Sequence, residues 1–170
     1  MSNKFNNFLK IFFALAATLL LINSESINVL AKTPESYNLI PQKTMPGTAA
    51  YKLKRAKEKV FLLVALSQKS KFSYRQVLLG KRLSELISLV NKNDALNVVD
   101  TSQRFAYEAG MLAETASKNK ERYSQTALSL FKKYKPVLEE LRDNFPANSA
   151  HWLLIQQDID TLNILSDKLK

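Results

Sequence analysis

The stretch NKERYSQTALSLFKKYKPVLEELRDNFP, residues 119–146, decides the fold. Its apolar residues fall at Tyr123, Ala127, Leu130 or Phe131, Tyr134, Leu138 and Leu141. That three-and-four spacing gathers side chains along one side of a helix, whereas a strand would alternate with period two. Pro136 lies inside the pattern and has no N–H to give to the preceding turn, so a kink or a break is expected just before it. Asn144-Phe145-Pro146 ends this helix and opens the next.

The same period extends in both directions. Toward the C-terminus, Trp152, Ile155, Ile159, Leu162, Leu165 or Ser166, and Leu169 define a last helix over residues 146–169. Toward the N-terminus, a turn at Asn91-Lys92-Asn93-Asp94, with Asn93 or Asp94 as cap, starts a third helix to residue 117. Its expected buried positions are Leu96 or Val99, then Ala106, Ala109 or Gly110, and Ala113. Before it, Phe72, Leu79, Leu83, Leu86 and Val90 mark a second helix over 71–90, preceded by a polar break at 67–70. Pro46-Gly47-Thr48 is a turn with Thr48 as N-cap, and the first helix, 48–66, places Ala49, Leu53, Ala56, Val60, Leu63 and Val64 on one face expected to be the core face. No segment shows the period of a strand. Long amphipathic helices with short connections give an all-α fold, an antiparallel up-and-down bundle of four to five helices over residues 48–170.

The approach to the bundle reads differently. Lys4 and Lys10 precede a predominantly apolar run, Ile11 to Ile22, and Val29-Leu30-Ala31 offers the small or short residues of a processing site. Residues 1–31 therefore read as a secretory signal peptide cleaved after Ala31. The run is about twelve residues, short of the roughly twenty that span a bilayer, so an uncleaved anchor is the lesser alternative. Residues 32–47, with Pro34, Pro41 and Pro46, read as an extended tether. The expected setting is secreted or extracytoplasmic, with or without a membrane tether.

Charge is unevenly spread. The formal net charge is +10 and the isoelectric point about 9.7. All of that excess lies in residues 43–82, where Lys43, Lys52, Lys54, Arg55, Lys57, Lys59, Lys69, Lys71, Arg75, Lys81 and Arg82 face one acid, Glu58. Behind an export signal, such a segment points to anionic lipid or a cell-wall polymer rather than to nucleic acid. Cysteine is absent and glycine is limited to Gly47, Gly80 and Gly110. That excludes disulfides, thiolate metal sites, a cysteine nucleophile and a glycine-rich phosphate loop, and no cofactor is expected.

Several of these residues together are familiar. Met45-Pro46-Gly47 through Tyr51, Leu53-Lys54-Arg55, Glu58-Lys59, the second-helix run Lys81-Arg82-Leu83-Ser84-Glu85-Leu86 and the late Phe145-Pro146 resemble the helical extracytoplasmic family catalogued as domain of unknown function 5667. The similarity covers residues 45–170. It implies a helical fold and an extracytoplasmic setting, and brings no activity and no catalytic residues. Phe105-Ala106-Tyr107 and Gly110 stand where the family pattern has an Ala/Glu-rich third helix, so close packing peculiar to this chain is expected there.

Three candidate sites emerge. The first is an anion or surface contact through Lys52, Lys54, Arg55, Lys59, Lys69, Lys71 and Arg75. With Leu53 at zero, Lys57 lies at about 40°, Lys54 about 100°, Arg55 about 200°, Lys59 about 240° and Lys52 about 260° around the first helix, so the cations wrap it as an ordinary solvated face would. The second is the end of that helix, Phe61 to Leu66, apolar all round; it demands burial under the later helices or contact with a partner or membrane. Tyr51, Arg55 and Leu62, opposite the expected core face, form a stripe suited to a partner helix or to self-association. The third is His151, the sole histidine, which reads as a helix-entry residue beside a core Trp152 and not as a metal ligand, because metal binding needs several converging ligands. Tyr107 and Tyr123 read as helix-packing aromatics. No Gly-x-Ser-x-Gly elbow or paired-carboxylate cleft is legible, so no enzyme activity is expected.

Overall fold

Thr48, Ser67, Asp94, Asn119 and Ser149 each offer a side-chain oxygen just ahead of a helical run. Each accepts a hydrogen bond from the backbone N–H three residues on, at Tyr51, Ser70, Asn97, Arg122 and Trp152. A cap of this kind contributes about 1 kcal/mol by satisfying one orphan donor. In the computed structural model, which describes residues 32–170, five α-helices follow from these caps: α1 Ala49–Val64, α2 Gln68–Asn91, α3 Ala95–Ser117, α4 Lys120–Arg142 and α5 Ala150–Leu169. The segment expected to be an export signal lies outside the described residues. Among the described residues there is no strand, and no helix is long and apolar enough to cross a membrane.

Two boundaries differ from the sequence reading because serines cap first. Ser67 starts α2 at Gln68, and Ser149 delays α5 to Ala150, behind a turn with Asn148 at φ 62°. The break expected near Pro136 does not occur. Pro136 sits on the exposed side of α4, as does Lys132, whose carbonyl loses its partner there, so the helix continues to Arg142.

The core lies among α2 to α5, with α3 packed against each of the other three. Leu79, Leu83 and Leu86 meet Phe105, Ala109 and Leu112, with Phe131, Leu138, Ile155 and Ile159 closing the other sides. Phe72 and Tyr123 stack with ring centroids 4.4 Å apart. On α3 Ala109 and Ala113 are buried as expected, but the start of the helix differs: Val98 enters the core, whereas Leu96 and Val99 are exposed. Asp94 holds the helix start in a position that makes Val98, Ser102, Phe105 and Ala109 the inward series. The close approach expected at Gly110 is found at Gly80 instead. A Cβ at Gly110 would meet nothing within 4 Å, while one at Gly80 would lie 2.9 Å from the Tyr134 hydroxyl of α4. Trp152 is not a core anchor; it is half-buried, with the Arg142 guanidinium 5.1 Å over its ring. Tyr107 is exposed.

Residues 32–47 are not an extended tether. Pro34–Tyr37 forms a 3-10 turn ended by Asn38 in the left-handed region, Leu39 is buried, and the Ser84 hydroxyl of α2 donates to the Ile40 carbonyl at 2.9 Å. Lys32 reaches Glu140 of α4 at 2.9 Å. The prolines rigidify a strap laid on the bundle, and Lys32–Lys170 is one compact unit with its own core.

Candidate functional site

α1 lies on the bundle the other way round from the sequence expectation. Its apolar stripe, Leu53, Val60, Phe61, Leu63 and Val64, continued past the helix end by Leu66, points to solvent, from 56% exposed at Val60 to 91% at Leu66. The inward residues are Tyr51 and Glu58, with Arg55 and Leu62 partly covered beside them. Tyr51, Arg55 and Leu62, expected from the sequence to form a partner surface, thus face α2 and α3 of the same chain.

What draws the polar side inward is a charged seam. Arg82 of α2 is fully buried between two carboxylates, hydrogen-bonded to Glu58 of α1 and to Glu85 at 2.7 Å. Glu85 also accepts from the Tyr51 hydroxyl at 2.8 Å and pairs with Lys54 at 2.7 Å. Glu58 pairs with Arg55 at 2.8 Å and lies 3.5 Å from Lys81. On α3, Glu108 pairs with Arg75 at 2.7 Å and reaches Arg55 at 3.9 Å, while Arg104 donates to the Tyr51 hydroxyl at 3.5 Å. Long side chains bridge the gap, since the backbone of α1 makes few close approaches to α2 or α3.

The electrostatics keep this seam charged. Burial pushes Glu58 up, but Arg82, Arg55 and Lys81 outweigh it and hold the carboxyl below the usual range. Burial likewise works against a charged Arg82, and Glu85 overcomes it, raising the guanidinium further. The Tyr51 hydroxyl is pushed up to about 12 by burial and then by Glu85, and so remains a neutral donor. A buried pair of this kind is weak evidence of net stability, but removing one partner strands a charge at a cost of about 3–5 kcal/mol. The seam therefore fixes which way α1 faces.

The cations of the first candidate site divide accordingly. Lys54, Arg55 and Arg75 serve internal carboxylates. Lys52, Lys59, Lys69 and Lys71 are exposed, as is Lys57, and none has a carboxylate within 4.0 Å among the described residues. Lys52 and Lys59 flank the apolar stripe on one edge, and Lys57 stands within it. Lys59 and Lys71 border a cleft of about 510 Å³ between the end of α1, the start of α2 and the C-terminal half of α3, with Leu62, Leu63, Tyr107 and Met111 in its lining.

The sequence reading missed Glu85, Glu108, Lys81 and Arg104 as members of one network. The available signal was Arg82 itself, within about 60° of Leu79 and Leu86 on the buried face of its helix, where a cation needs a partner. His151 packs at the start of α5, its ring 5.2 Å from Phe145 and Nε2 3.2 Å from the Ala95 carbonyl. A fourth buried acid, Asp158 on α5, stands apart from the seam and is pushed up to about 7 by burial, against the lowering effect of the Ser102 hydroxyl on α3. No family model matches the chain, and no curated protein or solved structure matches it.

Proposed function

We propose that the chain is an exported, non-enzymatic helical module that rests α1 on an anionic surface of the cell envelope. One observation carries the reading: an apolar stripe turned to solvent, with Lys52, Lys57 and Lys59 around and within it and free of carboxylate partners among the described residues. Exposed apolar patches on a folded domain mark contact sites. A helix with this pattern lies in the plane of an interface, its apolar face at the headgroup and acyl boundary. Each lysine there contributes about 1 kcal/mol against an anionic leaflet. A wall polymer supplies charge but no apolar layer, so the leucines and valines favour lipid. The extracytoplasmic setting draws on the signal-like residues 1–31 and on the resemblance to domain of unknown function 5667.

The same face supports a second reading, self-association or docking of another protein. A second copy would bring lysines against lysines, and this charge argument favours the anionic surface. Residues 32–170 are expected to sediment with phosphatidylglycerol vesicles and not with phosphatidylcholine vesicles, with affinity falling steeply as salt rises. Equal retention on both would overturn the reading. Concentration-dependent assembly by light scattering, weakened by Leu63→Lys, would favour self-association instead.

A further inference from the structure

We infer that the cleft between α1, α2 and α3 is a discrete site for the phosphate headgroup of an anionic glycerophospholipid. The inference rests on the surface-docking reading above and adds to it a stoichiometric ligand.

The lining combines two chemistries. Leu62 and Leu63 from α1 and Tyr107 and Met111 from α3 are its apolar members, and Lys59, Lys71, Arg75 and Lys118 its basic ones. Glu114 is the acid of this lining and is already paired with Lys118 at 2.9 Å. Arg75 is held in place at 2.7 Å by Glu108, which is not part of the lining, and lies 6.0 Å from the Tyr107 ring. That leaves the ammonium groups of Lys59 and Lys71, from two different helices, without a carboxylate among the described residues. Two free cations lining one space suit a phosphate, whose oxygens accept several hydrogen bonds at once and which, as the phosphomonoester of phosphatidic acid, carries more charge than a carboxylate.

The apolar members of the lining suit an anion with a hydrocarbon attached. About 510 Å³ falls in the range of small-molecule sites. Leu63 belongs both to this lining and to the outward stripe of α1, so a headgroup seated between Lys59 and Lys71 leaves its acyl chains continuous with the face proposed to enter the bilayer. A free phosphate would use the cations and leave Leu62, Leu63 and Met111 without a role.

The test uses residues 32–170 and monomeric dihexanoyl phosphatidic acid, below its critical micelle concentration, so that no bilayer is present. Titration followed by amide resonances of Lys71, Tyr107 and Met111 is expected to saturate at one lipid per chain. Dihexanoyl phosphatidylcholine and inorganic phosphate are each expected to bind about tenfold or more weakly. The double variant Lys59→Gln/Lys71→Gln should lose about tenfold in affinity, and Lys52→Gln/Lys57→Gln, off the cleft on the same helix, should lose none. Met111→Glu, which places a negative charge in the lining, should also abolish binding without touching a cation. Inorganic phosphate binding as tightly as the lipid, an equal loss in both lysine pairs, or no saturation would each overturn the site. Vesicle binding that persists alongside a failed titration would overturn the cleft and leave the surface reading standing; a saturating titration without vesicle binding would do the reverse.

Discussion

α4 and α1 carry equally legible apolar stripes and use them in opposite ways. In α4 the series Tyr123, Ala127, Phe131, Tyr134, Leu138 and Leu141 is buried against the neighbouring helices, while in α1 the series Leu53, Val60 and Val64 faces water. Periodicity identifies a face but not the direction in which it points. Direction depends on what the opposite face can satisfy. The opposite face of α4 is lysine-rich and has no buried partner to seek, whereas that of α1 carries Tyr51, Arg55 and Glu58, which answer the buried Arg82 and Glu85 of α2. Turning α1 over would bury its apolar side chains but would leave Arg82 without Glu58, and Glu85 without Tyr51 and Lys54.

The comparison can be broken most severely at the seam. Glu85→Ala leaves the buried Arg82 with Glu58 alone and removes the carboxylate partner of Lys54 and the acceptor of Tyr51, so it should destabilise the chain by about 3–5 kcal/mol in urea unfolding, comparable to Phe131→Ala in the α4 core. A loss under about 1 kcal/mol from Glu85→Ala would mean that the seam does not hold α1. The next effect concerns Asp158. Its carboxyl titrates near 7 in the fold and near the ordinary 3.8 when unfolded, so the folded state retains the proton more tightly. Stability should therefore fall as pH rises from about 4 to about 7, by an amount on the order of a few kcal/mol, and level off above that. Asp158→Asn should flatten this part of the profile; an unchanged slope would place the pH dependence elsewhere. The smallest effect sharpens the contrast itself. Val60→Lys on the outward stripe should change unfolding stability by under about 0.5 kcal/mol, while Leu138→Lys at the matching kind of position in α4 should abolish folding.

Much of the fold was legible because it follows from local rules. Thr48 as a cap, the α2 series Phe72, Leu79, Leu83, Leu86 and Val90, and the α4 series from Tyr123 to Leu141, though not Ser124 or Val137, can be read from spacing and capping chemistry. The strap and the orientation of α1 were not legible, because they depend on contacts across long sequence separations. Leu39 is buried only once α2 and α4 are assembled, and Glu58 meets Arg82 only across two helices. Charged residues in a basic segment look solvated one at a time. The candidate site was half visible for the same reason: the run Lys52 to Lys71 and the apolar end of α1 stood out in the sequence, but only their placement shows that they share one surface.

The central claim is that the outward stripe of α1 enters an anionic bilayer while the rest of the bundle stays in water. Because the chain has no cysteine, a single nitroxide can be attached at Val60→Cys or, for comparison, at the exposed Thr126→Cys on α4. Oxygen and nickel-complex accessibilities measured by electron paramagnetic resonance on phosphatidylglycerol vesicles then report depth at each. The label at position 60 should lie at the headgroup and acyl boundary, about 5–10 Å into the leaflet, and the label at 126 should remain aqueous. Two aqueous labels, or two labels at equal depth, would contradict the account.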